Sequence, residues 1–167
     1  MRNLFIILFS LIGITAYSQD LPSEFSNGFA FPLGTKFTIK LQAVDSLNFD
    51  YQVIEFEPFE EVIDLFENDS LFAATGEENT ITFYFCLGTR GETDEEKEKN
   101  MKVLLLFKNY SKHVLKYSSD ISREEEGEFE STSNIGSYPG AKTMEMWPYM
   151  IYLIGLREFQ KNVINAL

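Results

Sequence analysis

The sequence contains very few of the side chains that carry disulfide, metal or nucleophile chemistry. Its 167 residues include one cysteine and one histidine. A lone cysteine cannot form an internal disulfide, and a zinc cluster needs about four cysteine or histidine ligands. The composition therefore excludes a disulfide-stabilised scaffold and a zinc domain, and we expect no cofactor.

Basic side chains are also scarce. The chain has 14 Lys plus Arg against 26 Asp plus Glu, which gives a formal net charge of −12. Nucleic-acid binding depends on Lys and Arg neutralising phosphates, so we expect no nucleic-acid partner. Proline and glycine are few, at 5 and 10, whereas 44% of the residues are hydrophobic and 15% are aromatic. This balance favours a folded domain with a substantial core over a disordered chain.

The N-terminal residues predict export through a cleavable signal peptide over residues 1–18. Arg2 supplies the positive charge, Leu4 to Ile14 is almost entirely apolar, and Ala16-Tyr17-Ser18 places small residues where signal peptidase cleaves. The apolar stretch is shorter than the ~20 residues that span a bilayer, although an uncleaved anchor and a buried N-terminal element remain alternatives. Cleavage after Ser18 leaves no cysteine at the new N-terminus. We therefore expect a periplasmic or extracellular protein that is not a lipoprotein and has no transmembrane segment in its mature chain.

The rest of the chain suits a single domain. Residues 19–35 hold two prolines and two glycines without a sustained period, which predicts an irregular leader. Residues 36–160 form the predicted domain, and a short tail follows at 161–167. Two polar, acidic stretches within the domain, 88–100 and 122–138, are expected to be mobile loops.

Strand-like segments dominate this domain. Phe37, Ile39 and Leu41 alternate with polar residues, the period of two that predicts a half-buried strand. A turn at 45–48 then joins this strand to a second one at 49–56, in hairpin order. Similar segments follow at 71–74, 81–87, 101–107, 113–119 and 143–159.

The segment 101–107 is the most continuously apolar part of the domain, and we expect it to form a hairpin with 113–119. About seven or eight strands joined by short turns predict a mainly β fold, a two-layer antiparallel β-sandwich. An immunoglobulin-like topology is one option, although the Cys…Trp…Cys pattern of true immunoglobulin domains is absent.

At most one or two short helices are expected. Within residues 58–67, the apolar residues at i, i+3, i+4 and i+7 from Phe59 share one helical face, and acidic residues take the other. Pro58 near the first turn also suits a helix N-terminus. A β alternative for 62–66 stays open because short apolar runs are ambiguous. The C-terminal tail is the second candidate helix.

Catalytic motifs are absent from the sequence. His113 lies at a predicted turn, and no G-x-S-x-G motif surrounds any serine, so a Ser-His-Asp triad is not indicated. Cys86 falls in a strand-like run, where a buried, unreactive thiol is favoured over a reactive or intermolecular one. Glycoside hydrolysis needs two carboxylates in one cleft. The candidates on or beside aromatic-rich strands are Glu55, Glu57, Glu145 and Glu158. Carboxylates that simply face solvent are the favoured interpretation.

Two other short patterns carry little weight. The acidic clusters at 94–96 and 124–126 offer oxygen ligands for calcium, but neither has EF-hand spacing, so they favour solubility over a metal site. Sequons for N-glycosylation begin at Asn68 and Asn109, both at predicted turns, and they matter only in a host that glycosylates them.

Charge is unevenly distributed along the chain. From Leu41 to Thr89 there are 11 acidic residues and no Lys or Arg, whereas residues 97–116 hold six lysines and one acid. Such a field predicts an acidic surface for a cationic partner, unless the two patches pair within the fold. The candidate binding residues are Glu55, Glu57, Glu60, Glu61, Asp64, Trp147 and Tyr149.

Together these features favour an exported, non-enzymatic binding or accessory protein of the bacterial periplasm or cell envelope. A basic protein or an envelope glycan is the expected partner. An acidic inhibitor or immunity-type protein is the first alternative, and a small carboxylate-dependent glycan hydrolase is the second. The sequence itself identifies no ligand.

Overall fold

The computed structural model describes residues 24–162, and the predicted signal peptide lies outside them. In this part of the chain the regular structure is one short helix, α1 (Asp94–Lys99), a single 3-10 turn (Asp69–Leu71) and ten strands. The strands are β1 (Gly28–Pro32), β2 (Thr35–Ala43), β3 (Asn48–Pro58), β4 (Ile63–Asp64), β5 (Thr80–Thr89), β6 (Lys102–Asn109), β7 (Leu115–Ser122), β8 (Glu130–Thr132), β9 (Lys142–Trp147) and β10 (Leu153–Lys161).

The strands form one sheet in the antiparallel order β8-β7-β10-β3-β2-β5-β6-β9. Strand β1 adds to β10, and the two-residue β4 runs parallel to β5. The sheet curls so that its two ends face each other. The ring of Phe107 on β6 lies 6.1 Å from that of Tyr117 on β7, although these strands are not neighbours in the sheet. The predicted mainly β, two-layer antiparallel fold is therefore confirmed, as a single sheet folded onto itself.

Side-chain alternation along the strands fills the space between the two layers. On β2, β5 and β6 every second residue points inward, and these side chains are buried: Phe37, Ile39, Ile81, Phe83, Phe85, Val103, Leu105 and Phe107. Rings stack within this core, with the centroids of Phe37 and Phe83 4.9 Å apart. Because burial of each such side chain contributes about 1.5–3 kcal/mol, this interior is the main source of stability.

A second, smaller core lies on the outer face of β5 and β6. Residues 59–72 cross that face, where Ile63 and Leu65 cover it and the rings of Phe59 and Phe72 pack edge-on to a tyrosine. The covered side chains are Tyr84, Cys86, Leu104 and Leu106. This cover explains why β6 is apolar at nearly every position, since the strand is buried on both faces.

The hairpin of β2 and β3 is confirmed. The two strands pair from Thr35 with Pro58 to Ala43 with Phe49. Asp45 forms the turn, because its carboxylate accepts hydrogen bonds from the backbone N–H groups of the residues two and three positions later, at 2.7 and 2.8 Å. A carboxylate that caps its own turn in this way is a purely local signal, which is why the sequence predicts this element well.

The hairpin predicted between 101–107 and 113–119 is wrong. Strand β6 pairs with β5 and β9, whereas β7 pairs with β10 and β8. Asn109 shapes the link between them: its Oδ1 accepts from the N–H of Ser111 at 2.8 Å, and its Nδ2 donates to the carbonyl of His113 at 3.0 Å. The link is thus an arch from one layer to the other.

The helix predicted over residues 58–67 is also wrong. Ile63 and Leu65 are buried and their neighbours are exposed, which is the period of a strand, and the first of them belongs to β4. Asp64 then turns the chain, since its Oδ1 accepts from the N–H groups of Phe66 and Glu67 at 2.7 and 2.9 Å. The β alternative for 62–66 describes this segment better.

Regular structure also occurs where irregular chain is expected. Strand β1 lies in the expected leader, β8 lies in the loop 122–138, and α1 lies in the loop 88–100. Thr93 and Glu96 close a capping box at the start of α1, each side chain accepting from the other's backbone N–H. The strand predicted at 71–74 is absent; those residues form the end of the 3-10 turn and a bend.

The C-terminal tail extends the sheet where the structure describes it. Strand β10 continues to Lys161, so the described start of the tail is β structure, and residues 163–167 lie outside the described part. Across residues 24–162, no helix is long and apolar enough to cross a membrane.

Candidate functional site

The seven candidate binding residues fall in three regions of the surface. Glu55 lines a cleft on the outer face of β3, β2 and β5, which we call the outer cleft. Glu57, Glu60, Glu61 and Asp64 belong to residues 57–69, the acidic segment. Trp147 and Tyr149 line a depression between the two ends of the sheet, the seam pocket.

The outer cleft encloses about 330 Å³ and is organised by Lys36. The Lys36 ammonium lies 2.9 Å from Glu55 Oε1 and 2.7 Å from Glu57 Oε1. Thr38 donates its hydroxyl to Glu55 Oε2 at 2.7 Å. Lys36 and then Thr38 hold the pKa of Glu55 below its usual value. Lys36 therefore offsets part of the negative charge of this cleft within the fold.

This arrangement does not assemble the carboxylate pair of a glycoside hydrolase. One carboxyl group of such a pair must stay protonated as the general acid, which requires a raised pKa. The pKa of Glu55 is lowered. Glu158 lies on β10, where Arg157 pairs with it and Ser118 donates a hydrogen bond to it. Glu145 lines the seam pocket without a second carboxylate among the described residues that surround it.

The acidic segment keeps its carboxylates in solvent. Its acidic side chains are exposed, while Ile63 and Leu65 anchor it to the outer core. Two apolar side chains point outward between the carboxylates: Val62 is 48% exposed and Phe66 is 69% exposed. The Arg90 guanidinium lies 5.8 Å from the centre of the Phe66 ring. The segment thus presents negative charge and apolar surface together.

Internal ion pairs neutralise only part of the acidic region between residues 41 and 89. Five of its carboxylates pair with lysines: Glu55, Glu57, Asp69, Glu77 and Glu78. The others make no ion pair within residues 24–162: Asp45, Asp50, Glu60, Glu61, Asp64 and Glu67. Pairing within the fold therefore accounts for some of the uneven charge and leaves the middle of the acidic segment unpaired.

The seam pocket is the place where a buried carboxyl group meets the surface. It encloses about 380 Å³ and is lined by residues 132–135, 144–147 and Tyr149. Glu145 is 8% exposed. Its Oε1 accepts a hydrogen bond from the Tyr117 hydroxyl at 2.9 Å, whereas its Oε2 has no hydrogen-bond partner among the described residues. Trp147 Nε1 donates across the seam to Thr132 Oγ1 at 3.4 Å.

Burial sets the titration of this pair. Burial raises the pKa of Glu145, and the Tyr117 hydroxyl and the backbone N–H of Ile135 oppose that rise only in part. Burial and then the Glu145 charge raise the pKa of Tyr117 well above its ordinary value, so that it remains a neutral donor. From the sequence alone, Glu145 is only a candidate carboxylate for a hydrolase. The signal that distinguishes it is its position between Thr143 and Trp147, on the buried face of β9.

The raised pKa of Glu145 predicts a pH-dependent effect of the Glu145→Gln substitution. The folded state favours the protonated form of Glu145. The contribution of this side chain to the free energy of unfolding is therefore present at low pH and is lost as pH rises through the raised pKa. Each unit of that rise corresponds to about 1.4 kcal/mol. Urea denaturation between pH 4 and pH 8 should show E145Q gaining stability relative to the native chain as pH rises. Parallel curves for the two proteins would contradict the burial of this charge, and the exposed Glu124→Gln variant is the control.

His113, Cys86 and the two sequon asparagines are at least partly enclosed by the fold. The His113 ring packs 5.3 Å from Phe49, and burial, Lys161 and Lys112 lower its pKa. Cys86 is 1% exposed, and burial raises its pKa to about 12, so this thiol is unreactive in the folded state. Both sequon asparagines are buried, Asn68 at 3% and Asn109 at 0% exposure, and the folded protein does not offer them for glycosylation.

No group of three or more histidine, cysteine or acidic side chains is placed to hold a metal ion in the part of the chain that the structure describes. Comparison of the chain with protein-family models, with curated proteins and with solved structures found no match.

Proposed function

We propose that this protein is an exported, non-enzymatic binding protein of the bacterial periplasm or cell envelope, and that it holds a basic protein partner against the acidic segment. The observation that carries the proposal is the exposure of Val62 and Phe66 among carboxylates that make no ion pair within residues 24–162. Export rests on the N-terminal sequence, with Arg2 and the apolar stretch after it.

The shape of the acidic segment supports a role in binding. Its buried residues fix it to the outer core, so the outward side chains are held on a defined surface. Aromatic and apolar side chains at the centre of an interface supply most of its affinity, and surrounding charges steer the encounter. Phe66 already lies near the guanidinium of Arg90, an arrangement that a lysine or arginine of a partner can repeat on the open side of the ring.

Charge complementarity makes the partner basic. The chain carries a net charge of −12, and Glu60, Glu61 and Glu67 are exposed without an ion pair within residues 24–162. A cationic partner would gain from these carboxylates both in association rate and in affinity at low salt. An inhibitor or immunity-type protein is the case in which that basic partner is an enzyme or toxin.

The test uses a synthetic amphipathic peptide of lysine and leucine as the probe, with binding followed by fluorescence anisotropy. The double variant Glu60→Gln and Glu61→Gln should weaken binding about tenfold at low salt, because two steering charges are lost. The matched control is Glu124→Gln with Glu125→Gln, which removes the same charge from another surface. Affinity of the native chain should fall steeply between about 50 and about 500 mM NaCl.

A separate variant tests the apolar side chains of the acidic segment. Phe66→Ser should weaken binding of the same peptide, whereas Val44→Ser, at a side chain 61% exposed on the β2–β3 turn, should not. If the control variants lost as much affinity for the peptide, or if the affinity did not change with salt concentration, the acidic segment would not be the docking surface. Salt-independent binding of purified cell-envelope polysaccharide, unchanged in the glutamine double variant, would favour a glycan partner instead.

A further inference from the structure

The two ends of the sheet leave two strand edges open on opposite sides of the seam pocket. Among the strands that the structure describes, β9 pairs only with β6, and β8 pairs only with β7. In the described part of the chain no backbone hydrogen bond joins β8 to β9. Every second residue of an edge strand directs its N–H and C=O groups away from the sheet, so β9 offers a row of free donors and acceptors to the seam.

Side chains bridge the seam where the backbones do not. Trp147 reaches Thr132 from β9, and Tyr117 on β7 reaches Glu145. Among the described residues, Oε2 of Glu145 nevertheless has no hydrogen-bond partner, although only 8% of the residue is exposed. A buried acceptor without a donor is destabilising, more so when it is charged. Glu145 itself forms part of the wall of the seam pocket.

The rim of the pocket is apolar and exposed. Ile135 is 66% exposed on the β8 side, and Met146 is 48% exposed on β9. Tyr149 is 38% exposed, and the Arg123 guanidinium lies 4.1 Å from the centre of its ring. Apolar side chains of this size next to a free strand edge are a typical surface for strand addition, in which the backbone supplies hydrogen bonds and the side chains supply contact area.

We propose that the seam pocket binds an extended peptide of a partner protein as an additional strand along β9, with a lysine of that peptide donating to Glu145 Oε2. A strand added to β9 places the residue opposite Glu145 on the same face of the sheet, with the two Cβ atoms about 4.5–5.5 Å apart. An ammonium group at that place supplies the missing donor and neutralises the charge. The site goes beyond the proposed function, because the acidic segment is a different surface.

Charge favours a basic peptide over a second copy of this chain. Each copy carries a net charge of −12, so two copies repel, whereas a cationic segment is attracted to the whole molecule and to Glu145 in particular. Glu145 is the only titratable acidic or basic side chain among the described residues that line the pocket, apart from the Tyr149 phenol. The peptide lysine therefore has one defined partner.

The test uses a blocked nine-residue peptide that alternates threonine with valine and has lysine at its centre. The matched control has norleucine in place of lysine, which keeps the length and apolar stem of the side chain and removes the charge. The lysine peptide should bind about tenfold more tightly, as expected for a charge-assisted hydrogen bond. In Glu145→Gln this preference for lysine over norleucine should disappear, and Glu124→Gln should behave as the native chain.

Backbone methylation tests strand addition without any change in the protein. Peptides N-methylated at alternate residues lose the N–H groups on one of their two edges. One of the two methylated registers should lose binding and the other should retain it. Equal binding of both registers, absence of binding by every peptide, or a lysine preference that survives E145Q would overturn the proposal. Dimerisation of the free chain that the lysine peptide does not disrupt would assign the edge to a second copy instead.

Failure of this site and failure of the proposed function are separable. The variant with glutamine at Glu60 and Glu61 should bind the lysine peptide as the native chain does. If that variant loses the strand-forming peptide, the acidic segment rather than the seam pocket holds it, and the seam assignment is wrong.

Discussion

Replacement of Phe107 by alanine is expected to lower the free energy of unfolding by about 3–5 kcal/mol. The side chain is fully buried on the inner face of β6, between the rings of Phe83 at 5.2 Å and Tyr117 at 6.1 Å. Its removal leaves a cavity that rigid strands on both sides cannot close. Chemical denaturation measures the loss, and Phe66→Ala, at a ring 69% exposed, is the control expected to stay within about 0.5 kcal/mol.

A double-mutant cycle extends this result to the topology. Phe107 and Tyr117 lie on strands that face each other across the two layers, and their rings meet edge to face. The single variants Phe107→Leu and Tyr117→Leu and their combination should show a coupling of about 0.5–1.5 kcal/mol. Additive losses would mean that the two layers do not meet at these rings.

Replacement of Tyr51 by phenylalanine is expected to cost about 2–3 kcal/mol although only one oxygen atom is removed. The Tyr51 side chain is fully buried, and its hydroxyl accepts from the N–H of Phe29 at 2.8 Å and donates to the carbonyl of Leu156. Burial raises the pKa of this phenol, so it stays neutral and can make both bonds. Loss of the hydroxyl leaves two backbone groups without that partner at the junction of β1 and β10.

The effect should be concentrated on β1. The backbone of Tyr51 also exchanges hydrogen bonds with Ser26, so one residue secures the chain before and within β1. Hydrogen exchange at the Phe29 amide should accelerate in Tyr51→Phe more than exchange in β6. Tyr84→Phe, which removes a single hydrogen bond to Leu71, should cost about 1 kcal/mol. A cost for Tyr51→Phe no larger than this would contradict the double role of the hydroxyl.

Sequence patterns predict the strands better than they predict the partners of the strands. The β2–β3 hairpin depends on Asp45, whose carboxylate closes the turn within four residues, and its signal is local. Asn109 closes a turn of similar size, yet β6 and β7 separate there into different layers. The strands that pair with β6 are selected by apolar surfaces from distant parts of the chain. The residue pattern within 101–119 therefore does not predict them.

The error over residues 58–67 has a related cause. Phe59, Val62, Ile63 and Phe66 satisfy a helical period, but Ile63 and Leu65 satisfy a strand period equally well. The outer face of β5 and β6, with Tyr84 and Leu104, decides between them because it needs an apolar cover. Only the folded structure presents that face to this segment.

For the candidate sites too, the sequence predicts some features and only the folded structure shows the others. The unpaired carboxylates of Glu60 and Glu61 follow from sequence, because that stretch has no nearby basic residue. In the sequence, Glu145 is one of 26 acidic residues and nothing distinguishes it from the rest. It becomes distinct only in the folded sheet, which buries it beside Tyr117. Burial of a polar group is a tertiary property, and the alternation along β9 shows only which face it takes.

The position of β10 constrains the order in which the molecule can be assembled. The last described strand lies inside the sheet, between β7 and β3, and it also carries β1. Until β10 is in place, no strand pairing of the described sheet joins the pair β7–β8 to the group from β3 to β9. Contacts that join such distant parts of a chain form slowly. The edges of β3 and β7 stay unmatched throughout that interval, and unpaired strand edges of this kind favour aggregation.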